Sequence, residues 1–297
     1  MRTLVIGGAG FIGSNLVDSL IDLNHEVIIL DNLSTGKEEN INSNARFLHC
    51  DIKDLELIKP YFKNVDYVFH LAARARVQPS IQDPIRAHND NVNGTLNVLW
   101  AAKEAKVKKV IFSSSSSVYG ENYLPLLETY HAHPQSPYAL QKYIGEMYCK
   151  MFRNLYGLNS VILRYFNVYG PRQVEEGAYA LVIAKFMKQT REGLPMTITG
   201  DGTHTRDFTH VSDVVKANIL AMESELAEGE VINIGGGNNV SVNEISNLIG
   251  GKKKYIDSRL EPSDTLANIT KAKDILGWEP KVNIKQGIEM LLSNEKN

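Results

Sequence analysis

Thr3-Leu4-Val5-Ile6-Gly7-Gly8-Ala9-Gly10-Phe11-Ile12-Gly13 is the stretch on which the fold turns. It begins as a short apolar run that reads as a buried strand and breaks off in glycines. Ile12, Leu16, Leu20 and Leu23 then recur at helical spacing. Val27-Ile28-Ile29-Leu30 follows as a second strand and is closed by Asp31. Strand, glycine turn, helix, strand and acid form the unit that cradles a dinucleotide pyrophosphate, with the phosphates at the helix N-terminus. Gly7 permits the tight turn, Gly10 the close approach to phosphate, and Gly13 close helix–strand packing. The spacing is G-xx-G-xx-G rather than the G-x-G-xx-G of many dehydrogenases. Asp31 stands about 20 residues on, where a carboxylate accepts from both hydroxyls of an adenosine ribose and repels a 2′-phosphate. No arginine follows it directly, so NAD is favoured over NADP.

Working outward, strand-like runs recur at Arg46–His49, Tyr67–Leu71, Val110–Ser113 and Val161–Arg164, with helical stretches around Asn91–Lys106 and Tyr138–Tyr156 between them. Alternating strands and helices predict an α/β fold, a Rossmann-type doubly wound parallel sheet with its ligands at the carboxyl ends of the strands. Asp51, Leu71-Ala72-Ala73 and Ser113–Ser117 all fall at such ends. Asp51 is placed to read an adenine edge, and the small residues at 72 and 73 let a cofactor lie against the backbone. Beyond Val168 the elements shorten, with turns at Gly170-Pro171 and Gly200-Asp201-Gly202, until Val231–Ile234 returns as a late strand. The expected division is a dinucleotide-binding domain of residues 1–167 plus about 212–235. A smaller interleaved lobe of 168–211 and 236–297 would hold the substrate.

Bulk properties narrow the partners. The 297 residues carry a formal net charge of -2, and the pI is near 6.5, which argues against nucleic acid or an anionic membrane. No apolar run approaches the ~20 residues of a membrane span, and no signal peptide precedes the first strand. Cys50 and Cys149 lack metal-site spacing and make no disulfide framework. The expectation is a cytoplasmic protein with reduced, structural thiols.

Within Ser136-Pro137-Tyr138-Ala139-Leu140-Gln141-Lys142, the tyrosine and lysine lie four apart, on one helical face. A cation there favours a phenolate, so a phenol that ordinarily titrates near pH ~10 becomes a base nearer neutrality. Ser113–Ser117, upstream, offer a partner hydroxyl. Taken alone, the spacing is equally that of an exposed helical pair.

Several motifs together carry a resemblance: the glycine turn, Leu71-Ala72-Ala73, Asn91-Val92-Asn93-Gly94-Thr95, the serines before Val118-Tyr119-Gly120, and Ser136-Pro137-Tyr138-xxx-Lys142. They resemble the extended short-chain dehydrogenase/reductase superfamily. Leu163–Gln173, Gly200–Val214 and Leu276-Gly277-Trp278-Glu279-Pro280 are similar to its nucleotide-sugar epimerase branch, nearest the members that act on UDP-glucose and UDP-N-acetylglucosamine.

The resemblance implies an isomerase that interconverts UDP-glucose and UDP-galactose, and admits UDP-GlcNAc and UDP-GalNAc if the pocket allows. NAD takes a hydride from sugar C4 while Tyr138 removes the 4-hydroxyl proton; the 4-keto sugar turns over, and the hydride returns to the opposite face. Lys142 holds the nicotinamide ribose and lowers the phenol. Ser115 bonds the sugar O4 and relays its proton, with Ser116 as its neighbour in reserve. Lowering a phenol by ~3 units requires roughly 4 kcal/mol of preferential stabilisation of its phenolate. On the cofactor side the resemblance extends to Phe11 and Ile12 beside the glycines, and to Asn32, Ser34 and Gly36 after Asp31. It adds Ile52 after Asp51, and further Asn91, Ser113, Tyr165 and Val168. For the nucleotide sugar it implicates Asn167, Arg206 and Arg259 at the diphosphate, where guanidiniums give planar bidentate hydrogen bonds. Gly177–Val182, including Ala180, Leu181 and Val182, would pack on uracil, and Thr265 would line the sugar pocket.

Sister enzymes differ at informative positions. The 4,6-dehydratases carry an Asp-Glu pair where this chain has Ser116 and Ser117, and UDP-glucuronate decarboxylases place a Glu there; without that acid, elimination lacks its proton donor. UDP-glucuronate epimerases typically have Thr at the position of Asn167. Non-catalytic relatives keep the cofactor site and lose the catalytic pair, whereas Tyr138, Lys142 and Ser115 are all present. Two departures remain: the segment from Arg259 to Asn268 is about one residue short, and the loop Arg74-Ala75-Arg76-Val77 is unusually basic. The small Thr265 predicts a roomy pocket. By the same resemblance, the helices around Asn91–Lys106 and Tyr138–Tyr156 pair in a homodimer.

Overall fold

The computed structural model describes residues 1–175, 181–257 and 264–294. Six strands run β1 (Arg2–Ile6), β2 (Glu26–Asp31), β3 (Arg46–His49), β4 (Tyr67–His70), β5 (Lys109–Ser115) and β6 (Ser160–Tyr165), and a seventh is Val231–Ile234. All are parallel, in the order Val231–Ile234, β6, β5, β4, β1, β2, β3. The order reverses between β1 and β4. In a doubly wound sheet that reversal opens a crevice at the carboxyl ends, because the chain leaves in opposite directions on its two sides.

The helices are α1 (Phe11–Asp22), α2 (Leu55–Ile58), α3 (Val77–Gln82), α4 (Pro84–His88), α5 (Gly94–Glu104) and α6 (Pro137–Tyr156). One face of the sheet is covered by α1 and the helix Val211–Glu223, whose Leu16, Val17, Leu20, Val214 and Ala217 are fully buried with β1 and β6 residues. The other face is covered by α5 and α6 through Val98, Leu99, Cys149 and Phe152. Strands buried on both faces explain why β1, β2 and β6 are near-continuous apolar runs rather than alternating ones. The helix expected from Asn91 begins at Gly94; a π-helical turn, Asn89–Asn93, leads into it from α4 and turns Asn91 inward.

A smaller core lies apart from the sheet. Ile183, Phe186 and Met187 of the helix Val182–Arg191 pack with Met196, Ile198, Phe208, Ile245 and Ile288. Its strands pair in twos, Met196–Thr199 with Lys253–Ile256 and Thr205–Asp207 with Asn239–Ser241. Among the described residues no helix is long and apolar enough to cross a membrane.

Candidate active site

The crevice is built by backbone on one side and by side chains on the other. Gly7 has φ +84, and a Cβ there would stand 2.6 Å from the amide nitrogen of Ala72. Leu71 and Ala72 both donate their amides to the Ile6 carbonyl, each at 2.9 Å, which draws the end of β4 across the end of β1. Gly13 is tighter still, since a Cβ there would lie 2.1 Å from the Gly7 oxygen. Any side chain at these positions would fill the turn, so the cradle fits a dinucleotide approaching the backbone closely.

Asp31 ends β2 beside this turn. One carboxylate oxygen accepts from the Ala9 amide at 3.0 Å and the other from Leu33 at 2.8 Å. Burial pushes its pKa up, against the pull of those amides. Asn32 donates to Asp51 at 3.0 Å, linking the ends of β2 and β3. Burial raises Asp51, but the Lys53 amide, Asn32 and the Lys53 charge outweigh it and hold the carboxyl low. Ser34 is exposed and Gly36 packs on Ala9. Phe11 and Ile12 open α1, whereas Ile52 is buried against Gly94.

On the opposite side α6 is capped by Ser136, whose hydroxyl accepts from the Ala139 amide at 3.2 Å, with Pro137 in the first turn. That cap fixes the register that puts Tyr138 and Lys142 on one face. Ser115 is the last residue of β5, and its hydroxyl is one of the groups that oppose the upward push of burial on the Tyr138 phenol. It also accepts from the Ser117 amide at 3.2 Å and the Ser117 hydroxyl at 3.0 Å, while Ser116 is half-exposed next to it. Lys142 is buried, and its ammonium donates to the Ser113 carbonyl at 2.7 Å; burial lowers its pKa to about 8.

Lys142 thus turns its ammonium to the β5 backbone. Burial raises the Tyr138 pKa, and the charge that opposes the rise is the Arg76 guanidinium, followed by the Ser115 hydroxyl. The helical spacing was a correct guide to a shared face, but the lysine side chain is long enough to turn to the β5 backbone instead.

Other expected residues are engaged in the scaffold. The Asn91 carboxamide accepts from the Arg74 amide at 2.7 Å and donates to Gln141 at 2.8 Å, joining the 74-loop to α6. Tyr165 donates to Asn218 at 2.9 Å, and Val168 packs in the sheet core. Asn167, at φ +27, donates to the Asp207 carbonyl at 2.8 Å and to Thr265 Oγ1 at 3.3 Å. Thr265 Oγ1 also accepts from the Asp207 amide at 3.1 Å, so its hydroxyl faces this knot and its methyl is the part left for a pocket wall. Arg206 donates to the Thr205 carbonyl at 2.9 Å. Leu181 caps the helix that Val182 begins. Ala180 and Arg259 lie outside the described residues.

Two groups escaped the sequence reading. Glu146, one turn beyond Lys142, is fully buried; it accepts from Arg164 at 2.9 and 2.7 Å and from the Ser114 hydroxyl. Helical spacing from Lys142 was the only signal for it. Asp207 accepts from the amides of Gly236, Gly237 and Ala267, a convergence no local pattern announces.

A dinucleotide cradle at the switch point, facing a tyrosine, a lysine and a serine at the ends of α6 and β5, defines a short-chain dehydrogenase/reductase of the extended class. Residues 3–235 match the NAD dependent epimerase/dehydratase family, and the chain belongs to it. It is 43% identical to a putative UDP-glucose 4-epimerase of Methanocaldococcus jannaschii, over 99% of this chain and 98% of that one. The crystal structure of UDP-glucose 4-epimerase with UDP-glucose from Thermotoga maritima superposes with a TM-score of 0.96 at 43% identity, covering 100% and 99% of the two chains. A UDP-N-acetylglucosamine 4-epimerase from Methanobrevibacter ruminantium, in complex with UDP-N-acetylmuramic acid, gives 0.92 at 41%, covering 99% and 98%.

Proposed function

We propose that this protein is an NAD-dependent UDP-hexose 4-epimerase that interconverts UDP-glucose and UDP-galactose and also accepts the N-acetylated pair. The observation that carries this reading is the placement of Tyr138 and Lys142 in the first turns of α6 and Ser115 at the end of β5, by the glycine cradle, with serines rather than acids at 116 and 117. NAD, when bound, supplies the acceptor and then the donor for the hydrogen at sugar C4. The chain's own groups handle the proton. Tyr138 takes it from the 4-hydroxyl and returns it, and Ser115 holds O4 and relays. Lys142 turns its ammonium from the Ser113 carbonyl to the nicotinamide ribose. Gly7, Gly10 and Gly13 admit the pyrophosphate, and Asp31 accepts from the adenosine ribose. Arg206, Arg259 and Asn167 serve the UDP diphosphate, Ala180–Val182 the uracil, and Thr265 the wall beside the sugar C2 substituent.

In this assignment residues 1–167 with 212–235 bind NAD, and 168–211 with 236–297 bind the nucleotide sugar. Along α6, Leu140, Met147, Met151 and Leu155 are exposed at helical spacing, which supports pairing of two copies in a homodimer. Two buried free thiols, Cys50 and Cys149, support a reducing, cytoplasmic setting.

Incubating the purified protein with UDP-galactose, and in parallel with UDP-GalNAc, tests the reading. Formation of the 4-epimers is expected, and comparing the two rates ranks the substrates. No conversion of either with NAD present rejects it, and a 4-keto-6-deoxy product would assign a dehydratase instead. Tyr138→Phe is expected to lower turnover on the order of 10²–10⁴-fold while NAD stays bound; unchanged turnover would remove Tyr138 as the base.

A further inference from the structure

The residues that leave β4 form one wall of the glycine cradle, and that wall is held from outside by charge. Leu71 and Ala72 lie against Gly7, and Arg74 follows shortly after. The Arg74 amide donates to the Asn91 carboxamide oxygen at 2.7 Å, and its carbonyl accepts from the Asn91 carboxamide nitrogen at 3.2 Å. Its guanidinium donates to Asp90 at 2.8 Å. Both partners are adjacent residues of the π-helical turn Asn89–Asn93, a rare geometry that recurs at functional sites.

Asp90 reaches beyond this wall. Its other carboxylate oxygen meets the Lys53 ammonium at 3.1 Å, and Lys53 extends to Asp51 at 3.5 Å. Asp51 also accepts from the Lys53 amide at 2.9 Å and from Asn32 at the end of β2. An alternating row of charges, Arg74, Asp90, Lys53 and Asp51, therefore joins the chain after β4 to the chain after β3. Between those strands stand β1, with its glycine turn, and β2. All four residues lie beyond the ends of their strands, where the sheet ladder no longer fixes the backbone. The Arg74 and Asp90 side chains are only 17% and 19% exposed, so salt and solvent screen this pair less than a surface pair.

We propose that Asp90 is a positioning residue for the cofactor: through Arg74 and Lys53 it ties the wall after β4 to the adenine-side end of β3, and so slows the departure of NAD. This rests on NAD lying in the glycine cradle with its adenine toward Asp51, and not on which sugar is turned over.

Release of NAD from the purified protein, followed as exchange of bound for labelled NAD, tests the proposal. Asp90→Asn keeps the side-chain shape and removes the charge. It is expected to speed release by about 3-fold or more, since affinity changes at a formed site fall mainly on the off-rate. Lys53→Met is expected to act in the same direction. The double variant should release NAD more slowly than the product of the two single effects, because both changes break one row. Asp66→Asn is the control for loosening of the fold alone. Asp66 accepts from the Arg2 amide and the Lys108 ammonium, each at 2.8 Å, at the opposite edge of the sheet. It is expected to lower the melting temperature and leave NAD release unchanged.

Release within about 1.5-fold of wild type in Asp90→Asn would overturn the proposal. So would single effects that simply multiply in the double variant, or equal acceleration in Asp66→Asn. Conversion of UDP-galactose by the wild-type preparation is assayed separately. Its absence rejects the epimerase reading, while the exchange rates still decide Asp90.

Discussion

Two glycine turns stand at the carboxyl ends of parallel strands, and each is gripped by a buried aspartate. After β1, Asp31 holds Ala9 of the Gly7–Gly13 turn and Leu33 beyond it. After Val231–Ile234, Asp207 holds Gly236, Gly237 and the distant Ala267. The two differ in what is left over. A carboxylate has about four acceptor sites, and Asp31 spends two on amides, keeping the rest for a ligand. Asp207 spends three, and its own amide is taken by Thr265. The first aspartate shapes a binding turn and takes part in it; the second is a fastener that brings residues 205–207, 235–237 and 264–268 together beside Asn167.

That contrast can be broken by substitution. Asp207→Ala strands the buried Ala267 amide and the half-buried Gly236 amide, while the exposed Gly237 amide can turn to water; at about 1–3 kcal/mol for a buried unpaired amide, a stability loss of about 2 kcal/mol or more is expected in denaturant unfolding. A loss below about 1 kcal/mol would remove the fastener role. Asp31→Ala is expected to act mainly on the cofactor, weakening NAD by about 10- to 100-fold in calorimetric titration, the range of one hydrogen bond to a charged group. It should also narrow the preference over NADP; equal losses of stability in both variants would erase the contrast.

A smaller effect extends it to a buried cation. Lys142 is held at a pKa of about 8 against an ordinary 10.5. A lysine lowered on folding carries its full burial cost below pH ~8, and the cost is relieved as pH rises toward ~10.5. Lys142→Met should therefore stabilise the protein near neutrality by on the order of 1–3 kcal/mol, with the gain fading by pH ~10.5. A gain that persists unchanged at high pH would assign it to packing instead.

The two turns also mark how far the sequence could be read. The β1 turn, its helix and Asp31 fall within 31 consecutive residues, and the seven strands of the sheet lie where apolar runs predicted them. The Tyr138 face was legible because the Ser136 cap and Pro137 set the helix register locally. The Lys142 hydrogen bond was not, because a flexible four-carbon stem chooses its partner from whatever surrounds it. Arg76 was legible only as part of a basic loop, whereas its φ of +96 at the start of α3 is a feature of the folded chain.

By itself, then, the chain's sequence determined the parallel sheet, the glycine cradle and the residue types at the strand ends. These depend on short-range periodicity and on steric demands that only glycine meets. The tertiary structure decided that Lys142 turns to the Ser113 carbonyl, which aspartate spends more of its acceptor sites on amides, and where the Thr265 hydroxyl turns. Those outcomes depend on burial and on hydrogen-bond partners up to 60 or more residues away, and electrostatic energies are set by that surrounding medium rather than by neighbours in sequence.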